Sequence, residues 1–466
     1  MSLPPLTATL ADFCVSLDAG SLDPSVVTQT GRLLLDYLGV ASRGALSPST
    51  QALFRALKAL GLVEGDEPLA ATCWNAQPLA SALINGTSAH SLELDDLHNA
   101  SSLHPGVVIF PAALAAAELT QAAPLAFVGA AVVGYEVATR LGAAVNPATH
   151  YARGFHPTAT CGQFGAAAAA GRLLGLSSEG LAHAWGICGS QAAGSMAFLS
   201  EGAWTKHLHA GLAAEGGLKA AMLAREGFRA PTAIFEDPLG FLHAYAVEPE
   251  TAPMVEELGQ RWAVLDTSLK PHACCRYMQP AIDGLIALAE ENSLAPEEVA
   301  AATVHCLPAG FMIIAEPSER KADPQRTTEA QFSMPFGAAV ALARRRAGLD
   351  DFSDEALGDP TVRALMPKVR CVKDEELGRA WPERWPAVVV VETQDGRRLT
   401  LRVDDPKGDP VNPLTDAEIV GKFTELTTPC YSSDQREQLI EAALGIGDLE
   451  SLEPLWALLA EETKTA

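Results

Sequence analysis

Three long runs rich in alanine and glycine, at residues 111–119, 166–174 and 210–223, constrain the fold more than any other feature. Alanine is the best helix former, and its small side chain lets neighbouring helices approach closely. A first half built of such runs, with little strand signal, predicts a compact stack of helices. Asp23-Pro24 reads as an N-cap followed by proline at the first helical position. Val27, Leu34 and Leu38 then recur at helical spacing, and Gly39 follows as a stop. At 48% hydrophobic and 19% charged, the 466-residue chain has ample material for a core, which excludes a disordered protein.

The texture changes after about residue 255. Residues 301–307 read as a short strand. Residues 387–392 form a β-branched run and 398–403 an alternating one, and between them stands Gln394-Asp395-Gly396, a strong hairpin signal. Residues 280–290 and 336–347 carry helical patterns. From Thr415 onward the chain is helical again, with segments at 434–444 and 452–459. This order predicts a mostly α protein. Residues 1–255 and 410–466 would form a large all-helical domain, and 256–409 an inserted, smaller α+β lid domain.

The charge balance is 33 Lys+Arg against 57 Asp+Glu, or −24 at pH 7. Such a field repels phosphate backbones and anionic bilayers, so neither nucleic acid nor membrane is expected as a partner. An anionic substrate would need a local basic pocket. Nine cysteines without a CxxC pair point to a reducing, cytoplasmic setting. Met1-Ser2-Leu3-Pro4-Pro5 lacks a basic region followed by an apolar one, so no secretory signal is expected. Residues 180–200 lack Asp, Glu, Lys and Arg but hold His183, Gln191 and several glycines, which reads as a buried core segment.

Four constellations carry the polar chemistry. The segment from His90 to His104 holds three acids (Glu93, Asp95, Asp96) and three histidines (His90, His98, His104). It reads as an acid–base site, as a metal site using His90, Glu93, Asp95 and His98, or as a helix end with solvated histidines. His156 stands before a helix start rich in Gly and Thr, where backbone N–H groups can receive a carboxylate. Lys206 sits at a polar break between Ala-rich segments. It is either a helix-start lysine reaching solvent, or a buried amine whose pKa falls towards base chemistry. Lys270 and Arg276 flank His272 and the vicinal Cys274–Cys275 where the texture switches, and would offer cations to carboxylates across a cleft between lobes. The two cysteines read as packing residues. No GxGxxG follows a strand, and there is no P-loop, GxSxG or HExxH, so phosphate transfer, hydride transfer and triad hydrolysis lose support.

Together and in this order, these segments resemble the MmgE/PrpD family. The likeness spans residues 33–39, 85–106, Gly134-Tyr135-Glu136-Val137, 154–165, 206–211 and 269–277. The resemblance implies a helical domain made from both chain ends, a smaller α/β lobe, a homodimer and a cationic cleft. It implies neither a metal nor an organic cofactor, and a small polycarboxylate as substrate. The family's decarboxylase-type pocket maps onto His104, His156, Lys206 and Lys270. Glu93 stands where that pattern has Asp, Leu97 where it has Thr, and Phe336 near the place of a Tyr. The family's dehydratases carry Cys-His-Pro-Ser-Asp-Asn where this chain has Leu103-His104-Pro105-Gly106-Val107-Val108. By elimination the expectation is an epimerase of the iminodisuccinate type, with a lyase (decarboxylase or dehydratase) as the alternative and a non-catalytic carboxylate binder as a further one. In that expectation a proton is removed next to a carboxylate. Lys270 is the base, its pKa lowered by burial and by repulsion from Lys206 and Arg276, and His156 or Tyr151 is the acid. Glu93, Asp96, His104, Arg276 and Phe336 hold the substrate.

Overall fold

The computed structural model describes residues 5–63 and 77–460. Residues 1–4, part of the stretch read for a leader, lie outside this range. The chain is mostly helical, as expected. Helices Pro24–Gly44, Pro78–Ala89, Gly106–Thr120, Pro124–Ala144, Gly162–Leu173 and Thr205–Arg225 pack into one body. The three alanine-rich runs lie in three of them. Close approach is made by glycines: a Cβ on Gly165 would stand 2.4 Å from the Gly134 carbonyl oxygen, and one on Gly211 would stand 2.2 Å from that of Leu83. Helix Pro124–Ala144 is long and apolar enough to cross a bilayer, yet 83% of its apolar window is buried inside the protein, as in a core helix.

Asp23 caps the helix Pro24–Gly44 by accepting from the Ser25 N–H. Gly39 does not stop that helix. It lies inside it, against Phe423 and Leu426 of helix Asp416–Thr427. The C-terminal helices Asp416–Thr427 and Ser433–Leu444 thus pack on an N-terminal one. The charge-free stretch at 180–200 is buried only in part. Helix Ser178–Gln191 buries Leu181, Trp185 and Cys188, whereas Ala193, Ser195 and Ala197 are exposed.

Two strands, β1 (Leu97–His98) and β2 (Thr267–Ser268), pair antiparallel, with Leu97 opposite Ser268. A larger sheet holds β3 (Val299–Cys306), β4 (Val369–Lys373), β5 (Ala387–Thr393) and β6 (Arg398–Val403) in the order β4-β3-β5-β6. The β5–β6 hairpin turns through Gly396 at φ 86°, a left-handed conformation that suits glycine. β4 has no counterpart in the sequence reading, because Val-Arg-Cys-Val-Lys alternates too briefly to stand out. Helices Gln279–Glu291 and Met334–Arg344 cover this sheet.

Candidate active site

Helix Pro78–Ala89 ends at His90, and the chain turns through a 3-10 turn, His90–Leu92. Glu93 then takes a left-handed backbone at φ 55°, a conformation rare for a side-chain-bearing residue and concentrated at functional sites. β1 follows, and its pairing with β2 carries Lys270 alongside Glu93 and Asp95. His104 and Pro105 precede helix Gly106–Thr120, His156 precedes the short helix Pro157–Thr160, and Lys206 and His209 share a face of the first turns of Thr205–Arg225. From the sheet-bearing part, Arg276, Ile313 and Phe332 close over these groups. That cover is fixed by polar contacts: Thr328 Oγ1 donates to the Gly202 carbonyl at 3.0 Å, Arg326 to that of Glu201 at 3.1 Å, and Gln331 Nε2 to that of Leu92 at 2.9 Å.

Two adjoining chambers result. The inner one, about 40 Å³, is lined by Glu93, His104, Tyr151, His156, Lys206 and Arg276, with Leu97, Ser102, Cys275 and the aromatic rings of Phe198, Phe332 and Trp385. The outer one, about 300 Å³, shares Glu93, Lys206, Phe198, Ile313 and Phe332, and adds Arg320 and Lys321. Six of the nine expected site residues thus line the inner chamber. Lys270 lies directly behind them: fully buried, its Nζ donates to the Glu93 carbonyl at 3.1 Å and stands 3.6 Å from Glu93 Oε2 and 3.7 Å from Asp95 Oδ1.

Two expected residues are elsewhere. The Asp96 carboxylate accepts the Gly106 N–H at 3.0 Å and the Tyr135 hydroxyl at 2.7 Å, so it caps a helix start rather than facing a ligand. Burial pushes its pKa up to about 8. Phe336 is wholly buried against Phe352, with ring centroids 5.8 Å apart, inside the sheet-bearing part. The metal set His90, Glu93, Asp95 and His98 does not assemble, because His98 Nδ1 turns to Ser101 Oγ at 2.9 Å. Ligand atoms of His90, Asp95 and His104 do fall within 4.8 Å of one another. They are already hydrogen-bonded together, and the Lys270 ammonium beside Asp95 opposes a second cation.

The electrostatics also correct the base assignment. Burial alone would lower the Lys270 pKa, but the Asp95 and Glu93 carboxylates outweigh it and raise it, so Lys270 is held as an ammonium and not poised as a base. Burial alone would raise the Glu93 carboxyl; Lys206, its ion-pair partner, and Lys270 bring it down to about 2. Burial pushes the Tyr151 phenol well up, and its hydroxyl donates to the Ser102 carbonyl at 3.0 Å, which ties up the proton that the expected acid would give. His156 is driven well down by burial, then by His209 and His90 beside it. Burial lowers His104 too, but Asp95 opposes that shift. Burial raises the Cys275 thiol, so no thiolate forms in the chamber.

The cations at the inner chamber each have a carboxylate: Lys206 has Glu93, Lys270 has Glu93 and Asp95, and Arg276 has Asp409. The expected cationic cradle is therefore charge-compensated. Its free capacity lies in unused donors. Arg276 is 2% exposed, and its Nε and Nη1 are buried with no partner among the described residues. Sequence reasoning missed Ser102, Asp95 as an organiser of histidines, His209, and the aromatic walls. His209 was legible, three residues after Lys206 on one helix face. Phe332 was not, because it reaches the chamber only through the docking of a distant segment.

The sequence model of the MmgE/PrpD N-terminal domain matches residues 8–253, and that of the MmgE/PrpD C-terminal domain matches residues 272–446. The chain belongs to the MmgE/PrpD family. Among its relatives, the cis-aconitate decarboxylase-like protein oryM of Aspergillus oryzae is 30% identical, over 98% of this chain and 98% of that protein. The cis-aconitate decarboxylase of Aspergillus terreus is 26% identical over 97% and 96%, and that of Homo sapiens 27% over 98% and 95%. These relatives are lyases by name, which overturns the expectation of an isomerase. One of the departures behind that expectation was misplaced: Phe336 does not reach the chamber, so an absent hydroxyl there costs a ligand nothing.

Proposed function

We propose that this chain is a carboxy-lyase acting on a small unsaturated tricarboxylic acid of the cis-aconitate kind. The observation that carries the reading is the buried guanidinium of Arg276, with two N–H groups lacking a protein acceptor, in a chamber that also holds Lys206 and two histidines. A carboxylate satisfies such donors in the bidentate manner that arginine favours. The names of the relatives support the same substrate class.

In a β,γ-unsaturated acid, the bond to the leaving carboxylate breaks and its electron pair becomes a new double bond one carbon over. The old double bond gives its pair to a proton at the far carbon. One proton is consumed, and one neutral CO₂ departs. Arg276 and Lys206 hold the carboxylates that stay. The apolar walls of Leu97, Phe198, Ile313, Phe332 and Trp385 strip water from the one that leaves, which favours the neutral product. His104 is the better proton donor of the two histidines, because Asp95 supports its charged form, whereas cations and other imidazoles surround His156.

The test is incubation with cis-aconitate in deuterated buffer, followed by NMR. The expected result is CO₂ release with one deuterium placed on a single product carbon. Recovery of unchanged cis-aconitate, with no CO₂ and no label, overturns the reading.

A further inference from the structure

We propose that Asp95, which does not line the chamber, is the positioning residue that fixes His104 for proton transfer and, through His90, supports the ring of His156. Asp95 is 1% exposed. Its Oδ2 lies 2.7 Å from His90 Nδ1 and 2.9 Å from His104 Nδ1. An ionised carboxylate only accepts, so both Nδ1 atoms carry hydrogen. The Asp96 carbonyl oxygen, 2.7 Å from His104 Nδ1, is a second pure acceptor and enforces the same choice. The one nitrogen left to His104 is Nε2, on a ring that lines the inner chamber. One buried carboxylate thereby selects the tautomer and aims the reactive nitrogen, as carboxylates behind catalytic or metal-bound histidines do.

The second ring on Asp95 extends the effect. His90 stacks on His156 with planes 14° apart and centroids at 5.7 Å, and meets His104 edge-on at 4.9 Å. The charged and titratable groups facing His104 are Asp95, His90, His156, Lys270 and Lys206. Asp95 is the anion among them in direct contact with the ring, so it sustains the imidazolium during the reaction while the lysines oppose it. Burial opposes the charge on Asp95, but His104 and His90, and after them Lys270 at 3.7 Å from Oδ1, keep it ionised.

The proposal rests on the decarboxylation reading for its kinetic arm only. With cis-aconitate as substrate, Asp95→Asn is expected to lower kcat by about 10²-fold or more, with KM changed less than about threefold. Its pH profile should move to lower pH, because His104 loses its supporting charge. Asp95→Glu should recover part of kcat. An Asp95→Asn protein that keeps kcat within about threefold and an unmoved pH profile overturns the proposal. The structural arm needs neither substrate nor variant. In wild-type protein labelled with ¹⁵N-histidine, His104 and His90 should both show the Nδ1–H tautomer at pH 7.5. An Nε2–H tautomer at His104 overturns the proposal even where the variant does not fold. A wild-type protein silent towards cis-aconitate strikes the substrate reading alone, since the NMR arm still decides the role of Asp95.

Discussion

A buried guanidinium with two unused N–H groups is expensive unless something negative takes them. This makes Arg276 the sharpest point of the site at the residue scale. Arg276→Gln is expected to raise KM for the polycarboxylate about 10- to 100-fold, the value of a charge-assisted hydrogen bond at about 1.5–3 kcal/mol, with a smaller effect on kcat. The substitution also strands Asp409, which is 3% exposed and bonded to Arg276, Ser268 and Asn99. The double variant Arg276→Gln/Asp409→Asn should therefore regain stability in a denaturant titration but not recover KM. If both variants keep wild-type KM, the anion is received elsewhere. Arg276 was legible in the sequence as a cation near the change of texture. The state of Lys270 was not. Sequence shows that a lysine is in apolar company, but not that two carboxylates from a turn some 175 residues earlier reach it, and these reverse the sign of its shift.

Elements set the site by how closely they cross. Helices Pro78–Ala89 and Thr205–Arg225 touch at Gly86 and Gly211, where an added Cβ on Gly211 would stand 2.2 Å from the Leu83 carbonyl oxygen and 2.3 Å from Thr87 Oγ1. Gly211→Ala is expected to force these helices apart, with a loss of about 1–3 kcal/mol in urea unfolding and reduced turnover, since Lys206 and His90 ride on the displaced ends. Gly421, inside helix Asp416–Thr427 with nothing within 4 Å of its would-be Cβ, is the contrasting case. Gly421→Ala should gain about 0.5–1 kcal/mol with turnover unchanged. Equal effects at the two positions would refute the packing account. The alanine runs and the Asp-Gly hairpin were readable because each rests on local propensity and turn chemistry. β1 and β2 were not, because two-residue strands have no pattern of their own and exist only where Leu97 meets Ser268. Gly39 misled for a related reason: a glycine that stops a helix and one that admits a neighbour look alike until Phe423 is placed beside it.

The whole molecule carries −24 and is proposed to capture an anion, so long-range repulsion opposes encounter. Raising ionic strength from about 0.01 to 0.15 M shortens the screening length from about 30 to 8 Å, and kcat/KM should rise with it. A fall would mean that local cations dominate the approach. The same body stores an acid lability. Burial is the largest cause at each of five histidines held neutral: His90 is pushed down to about 3, and His98, His150, His207 and His209 to about 4. On unfolding each returns to about 6.5, so below that pH the unfolded chain binds more protons and stability falls as pH falls. Asp96, raised to about 8 by burial, and Asp36 and Glu136, also raised by burial, act in the opposite sense, because they release protons on unfolding. With His104 and His156, also lowered by burial, the histidines outnumber them, which leaves a net uptake of protons on unfolding as the pH falls below about 6.5. Urea titrations at pH 7.5, 6.0 and 5.0 should show a midpoint that drops progressively once the pH passes below about 6.5. A midpoint that holds or rises across that range would mean that the buried carboxyl groups, and not the histidines, govern its response to acid.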